Sequence, residues 1–188
     1  MSLMEVCAVG LAVAYVLLAV YQRRLCWIAA IASAALYIVI FWQVQLYLEA
    51  ALQVFYIAMA IYGWLAWGKV ASESGDIIRT WPIQRHLVAC ATLLTLSLAV
   101  GAAMSTFTDA ASPFVDAATT LSALLATWMV ASKLLENWLY WIVIDIASVG
   151  LYLSRDLTLT AALFAAYVIL AGWGYVTWRK QWTTQLSA

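Results

Sequence analysis

The segment LYLEAALQVFYIAMAIYGWLAWGK, Leu46 to Lys69, returns at an offset of 111 as LTLTAALFAAYVILAGWGYVTWRK, Leu157 to Lys180, without a gap. Ten of the 24 columns are identical: Leu46/Leu157, Leu48/Leu159, Ala50/Ala161, Ala51/Ala162, Leu52/Leu163, Tyr56/Tyr167, Ala60/Ala171, Gly63/Gly174, Trp67/Trp178 and Lys69/Lys180. Shared apolar composition inflates such a count, but matched Gly, Trp and Lys at one offset are hard to obtain by accident. Self-similarity at a fixed spacing is the mark of a duplicated structural unit. Upstream, IASAALY (Ile31 to Tyr37) matches IASVGLY (Ile146 to Tyr152) at an offset of 115, the difference of four being assigned to loop residues.

The duplicated unit belongs in a membrane. Of the 188 residues, 67% are hydrophobic and only 10% are charged, whereas soluble domains carry about 25% charged residues. Seven segments are apolar over the roughly 17 to 25 residues that a bilayer-spanning helix needs: 3–20, 25–42, 46–67, 86–104, 114–131, 138–153 and 157–178, the sixth being the shortest. No cleavable signal peptide is expected, because MSLME lacks a basic stretch and the first apolar run ends in YQRR. Cys7, Cys26 and Cys90 stand alone in apolar runs, as small core residues do.

With seven spans, one side of the membrane receives Arg23, Arg24, Lys69, Arg79, Arg85, Lys133, Arg179 and Lys180, and the other only Arg155. This imbalance places the N-terminus outside and the C-terminus in the cytoplasm. Glu5, Glu49, Asp109, Asp116 and Asp156 gather at the outer ends, while Glu73, Asp76 and Glu136 are inner. The formal net charge of zero gives no reason to expect a nucleic-acid partner. GKVASESGDIIRTWPIQR (68–85), with Gly, Ser, Pro and mixed charges, reads as the one real linker.

Three helices end on the side opposite to where they began, so two copies keep the same orientation only if one further helix joins them. The expected fold is therefore an all-α integral membrane protein of 3+1+3 plan, a single transmembrane domain. Repeat one covers 3–67, the linker helix 86–104 and repeat two 114–178, as parallel repeats of the SWEET-like kind. A solute path between paired bundles, with a site near the midplane, follows from that plan.

Function is sought where the repeats agree in backbone and differ in chemistry. Asp145 aligns with Ala30 at the upstream offset and Gln53 with Phe164, so each half offers a polar group where its twin is apolar. Trp138, Trp141, Asp145, Ser148 and Tyr152 are spaced by three and four and share one helix face. Glu49, Gln53, Tyr56, Ala60 and Gly63 follow the same spacing on the third span, and Ser33 and Tyr37 occupy the places of Ser148 and Tyr152. A mid-span Asp costs about 2.5 to 3.5 kcal/mol on insertion scales. No Lys or Arg lies within a span to offset it, which leaves a proton or a bound organic cation, and indole faces suit a flat cationic ring. Trp67, Trp81, Trp178 and Trp182 read as an inner interfacial belt, and His86 as an interfacial residue. No HExxH, GxSxG or Walker A pattern is present, so neither an enzyme nor a bound cofactor or metal is expected.

LQVFYIAMAIYGWLAW and ENWLYWIVIDIASVGLYL resemble the two signature regions of the PnuC family of bacterial vitamin transporters, the second through the family pattern WxxWxxx(N/D) at Trp138, Trp141 and Asp145. The resemblance covers nearly the whole chain. It implies uptake of nicotinamide riboside across the bacterial inner membrane by facilitated diffusion, with a cytoplasmic kinase trapping the product. It also implies a homotrimer, and substrate contacts at Gln53, Asn137, Trp141 and Asp145. Thiamine, also a fixed cation, is the alternative substrate, and a non-transporting vitamin-binding subunit is a further reading. Family members most associated with nicotinamide riboside carry Asn where this chain has Asp145, which bears on the choice of substrate.

Overall fold

The computed structural model describes residues 3–43, 47–73, 77–107, 112–154 and 158–187. They form seven α-helices in a 3+1+3 order: α1 (Leu3–Val20), α2 (Cys26–Gln43), α3 (Tyr47–Glu73), α4 (Ile83–Phe107), α5 (Pro113–Ala131), α6 (Asn137–Leu153) and α7 (Thr158–Leu186). Six are long and apolar enough to cross a membrane, and α6, with 17 residues, sits at the lower limit of a span. Both prolines stand at helix starts, Pro82 just before α4 and Pro113 as the first residue of α5, where a missing N–H costs nothing. Past their spans, α3 and α7 continue to 27 and 29 residues, longer than the hydrocarbon core requires. Asp76, Asp109, Arg155, Asp156 and Leu157 lie outside the described residues, as do the side chains of Glu49, Lys69, Glu73 and Leu159.

The helix ends give the true register of the repeat. α1 ends at Val20 and α5 at Ala131, and α2 begins at Cys26 and α6 at Asn137. Both pairs differ by 111, so the offset of 115 between IASAALY and IASVGLY is a coincidence of small apolar residues. In that register the twins of Asp145, Ser148 and Tyr152 are Ala34, Tyr37 and Phe41. Ser33 and Tyr37 are therefore not the counterparts of Ser148 and Tyr152. Gln53 and Phe164 do remain paired.

The turn after the first helix of each repeat shows the duplication atom by atom. Gln22 and Lys133 are the two non-glycine residues with positive φ among those described, 52° and 53°. Gln22 N–H donates to Ala19 O (3.0 Å) and Arg23 N–H to Leu18 O (2.8 Å); Lys133 N–H donates to Val130 O (3.0 Å) and Leu134 N–H to Met129 O (2.9 Å). Both are Schellman closures, which use two of the carbonyls a helix end leaves over.

The helices divide into two compact units. The first holds Met1–Ile78, Val130–Lys133 and Val176–Ala188. Within it α2 packs against α1 and α3, Ser33 Oγ donates to Ala8 O at 2.9 Å, and the Trp27 ring lies flat on Gly63, where a Cβ would come within 2.4 Å of it. The second unit holds Arg79–Met129 and Leu134–Tyr175. There Gly101 of α4 meets Phe114 of α5, and Trp138 of α6 lies on Gly174 of α7, with a would-be Cβ 2.6 Å away. Ala123 and Ala126 of α5 pack against Ile144, Tyr140 and Trp141 of α6. Trp27 on Gly63 and Trp138 on Gly174 are one contact made twice, because only glycine lets an indole plane approach a helix backbone so closely.

Candidate functional site

Helix α6 carries the chemistry of the second unit. Asp145 is its ninth residue, the middle of the span, and is only 4% exposed. Its carboxyl has no hydrogen-bond or ion-pair partner among the described residues. One turn on, Ser148 is buried and returns its hydroxyl to its own helix at Ile144 O (2.9 Å), keeping its lone pairs for an outside donor. One turn back, Trp141 is half-buried against Ala123, Ala126 and Ile144. Tyr152 stacks on Phe164 with centroids 5.1 Å apart and planes 25° from parallel. Along α6, Trp141 precedes Asp145 by one turn and Tyr152 follows it by two.

Asn137 and Trp138 sit two turns from Asp145 and are held in packing. Asn137 is fully buried at the start of α6, where its Nδ2 donates to Leu134 O (2.6 Å) while its Oδ1 finds no partner among the described residues. Trp138, 3% exposed, is spent on the Gly174 contact.

In the first unit Gln53 and Tyr56 are half-buried and share a face of α3, whose lower part, Ala60 and Gly63, is buried. Tyr37 is half-buried and stacks on Phe41 at 5.5 Å. Ser33 differs from the rest, since its hydroxyl ties α2 to α1.

Two arrangements escaped the sequence reading. His86 is not simply interfacial: its Nδ1 lies 3.1 Å from Tyr140 Oη and its Nε2 3.9 Å from Glu136, whose Oε1 also accepts Trp81 N–H at 3.2 Å. This polar knot fastens α4 to the start of α6. Trp67 and Trp178 are not interfacial either, being 2% and 0% exposed. Trp67 Nε1 donates to Ala131 O (3.1 Å), and Trp178 Nε1 to Ala19 O and Val20 O (both 3.1 Å). A backbone acceptor leaves no trace in sequence, so neither bond had a signal. Among the described residues no group of three His, Cys, Asp or Glu side chains could hold a metal.

A family model described as Nicotinamide mononucleotide transporter matches residues 2–180. The chain belongs to that family. It is accordingly a multi-pass membrane transporter and not an enzyme. Among the family's characterised members, the nicotinamide riboside transporter PnuC of Escherichia coli is 26% identical over 164 residues, covering 73% of this chain and 67% of that one; the Shigella flexneri transporter gives the same figures. The riboflavin/roseoflavin transporter RibM of Streptomyces davaonensis is 25% identical over 137 residues, 69% of this chain and 63% of its own. The crystal structure of a vitamin B3 transporter PnuC superposes with a TM-score of 0.77 over 96% of this chain and 82% of that one, at 17% identity, and so shares its fold.

Proposed function

We propose that this transporter takes up nicotinamide riboside by facilitated diffusion, and that Asp145 balances the fixed positive charge of the pyridinium ring. The observation that carries the reading is the nearly fully buried carboxyl at the centre of α6, without a partner among the described residues, one turn from the half-buried Trp141. An ionised acid in such a place is stable only when a cation visits it, and an indole beside it offers a face to a flat cationic ring. Ser148, Tyr152 and Asn137 of the same helix complete the proposed binding set around Asp145 and Trp141, and Trp138 supports it from behind. Two relatives bear the name of nicotinamide riboside transporters.

Thiamine, also a fixed cation, fits the same logic. The likeness to RibM brings riboflavin into consideration, but a neutral isoalloxazine would leave Asp145 uncompensated. A binding panel of the three vitamins on purified protein separates them: nicotinamide riboside is expected to bind tightest, and preference for riboflavin would overturn the charge argument. Uptake into proteoliposomes without any added partner is expected, whereas binding that saturates without transport would make the chain a receptor subunit. The protein sits in the bacterial inner membrane with its N-terminus outside, its C-terminus cytoplasmic and three copies per assembly, and a cytoplasmic kinase retains the product.

A further inference from the structure

We infer that Trp67 and Trp178 are transport residues, the two halves of a closure at the C-terminal ends of α1, α3, α5 and α7. Both indoles are buried, and their rings meet at 6.3 Å with planes 54° apart. Each donates its N–H to the carbonyl that ends the first helix of the other repeat: Trp67 to Ala131 O, Trp178 to Val20 O and its neighbour Ala19 O. Val20 and Ala131 are twins at the offset of 111, as are Trp67 and Trp178, so the lock has the symmetry of the duplication itself. All five residues fall within the first compact unit.

The Schellman turns satisfy the carbonyls of Leu18 and Ala19 in one repeat and of Met129 and Val130 in the other, leaving those of Val20 and Ala131 over. The indoles cover these leftovers. Repeats that alternate access by moving against each other must break whatever joins the third helix of one to the first helix of the other when that end opens. Few bonds are at stake, and water can take over the freed carbonyls, so the closure is cheap to release. The halves are not equal, because the Lys133 ammonium stands 4.7 Å from the Trp67 ring centre while its twin Gln22 reaches Gln181 instead.

The protein carries its own reporter. Cys26 is 0% exposed and begins α2 just past the first turn, beside Trp27, whose ring meets Trp67 at 5.3 Å; Cys7 and Cys90 are exposed and can be replaced. In the full-length C7S/C90S protein, reconstituted in vesicles of known orientation, a membrane-impermeant maleimide reads how often Cys26 is uncovered. W67F and W178F keep a ring and lose the N–H, and each is expected to raise the labelling rate about fivefold, the factor that one net hydrogen bond supplies. Saturating nicotinamide riboside is expected to change the rate in the C7S/C90S protein that keeps both indoles. Rates unchanged by both variants and by the ligand would overturn the closure and make the pair a fixed plug. The side of the closure rests on the proposed cytoplasmic C-terminus: labelling from the outer face would overturn that orientation and leave the closure standing. Failure of the ligand arm alone, with both variants faster, would count against the substrate and for the closure.

Discussion

Asp145 is a carboxyl in the middle of a span with no ion-pair partner among the described residues, and the size of that problem decides its meaning. An insertion cost of about 2.5 to 3.5 kcal/mol is a large share of a marginal stability of about 5 to 15 kcal/mol. A purely structural residue would repay it with hydrogen bonds, and Asp145 makes none among the described residues. Asp145→Asn keeps shape and removes charge, so affinity for nicotinamide riboside should fall by about 1 to 3 kcal/mol, the margin of an ion contact over a neutral one in a partly desolvated site. A reduced, uncharged analogue should lose little. Equal losses for both ligands, measured by calorimetry, would reassign Asp145 to helix packing. For Trp141→Ala a loss of about 1 to 2 kcal/mol is expected from the cation–π contact. The mostly exposed Trp42, 64% open, serves as control, and its Ala variant should bind within about twofold of the native chain. A comparable loss at Trp42 would expose a general folding effect.

Among whole helices, the twin contacts of Trp27 on Gly63 and Trp138 on Gly174 make a matched experiment. Gly63→Ala and Gly174→Ala each push a methyl into an indole plane and should cost about 1 to 3 kcal/mol, as overpacking does. Gly172→Ala, two residues away with nothing within 4 Å, should gain about 0.5 to 1 kcal/mol from helix propensity. Thermal unfolding in detergent reads all three, and a neutral Gly174→Ala would mean that the ring moves aside at no cost. Helix number and ends were legible because apolar length reports a span directly, and the repeat was legible in α3 and α7 because Gly, Trp and Lys are rare enough to anchor a register. The α2 and α6 register was not, since Ile, Ala and Ser recur everywhere in membrane helices. The left-handed turns at Gln22 and Lys133 lack the Gly or Asn that announces one, so tertiary contacts carry the backbone strain there. Asp145 was readable as a candidate because charge stands out in lipid, whereas a buried Trp and an interfacial Trp are spelled alike.

The sequence has one mid-span acid, no nucleotide-binding pattern and no Lys or Arg within its seven apolar spans, the buried Lys133 standing in the turn after α5. Driving a solute uphill requires a second ligand whose binding is coupled to the first, and a proton or sodium ion needs its own buried acceptor in the path. Among the described residues Asp145 is the one acidic side chain at the middle of a span, and in the proposed mechanism the substrate's own charge occupies it. A proton and the cation would then exclude each other, which makes them competitors at one site. Competition of that kind predicts binding that weakens as pH falls through the titration of Asp145, because the cation keeps its charge while the carboxyl loses its own. It also predicts exchange down a gradient, with internal nicotinamide riboside rising to the external concentration in kinase-free proteoliposomes and no further. An inwardly directed sodium gradient should not lift that plateau. An outwardly directed proton gradient, alkaline outside, should leave it level as well if the acid never crosses the membrane loaded with a proton on its own. Accumulation several times above the external concentration under either gradient would defeat downhill transport and would recast Asp145 as the coupling site, a role that Asp145→Asn would then abolish while leaving equilibrating uptake intact.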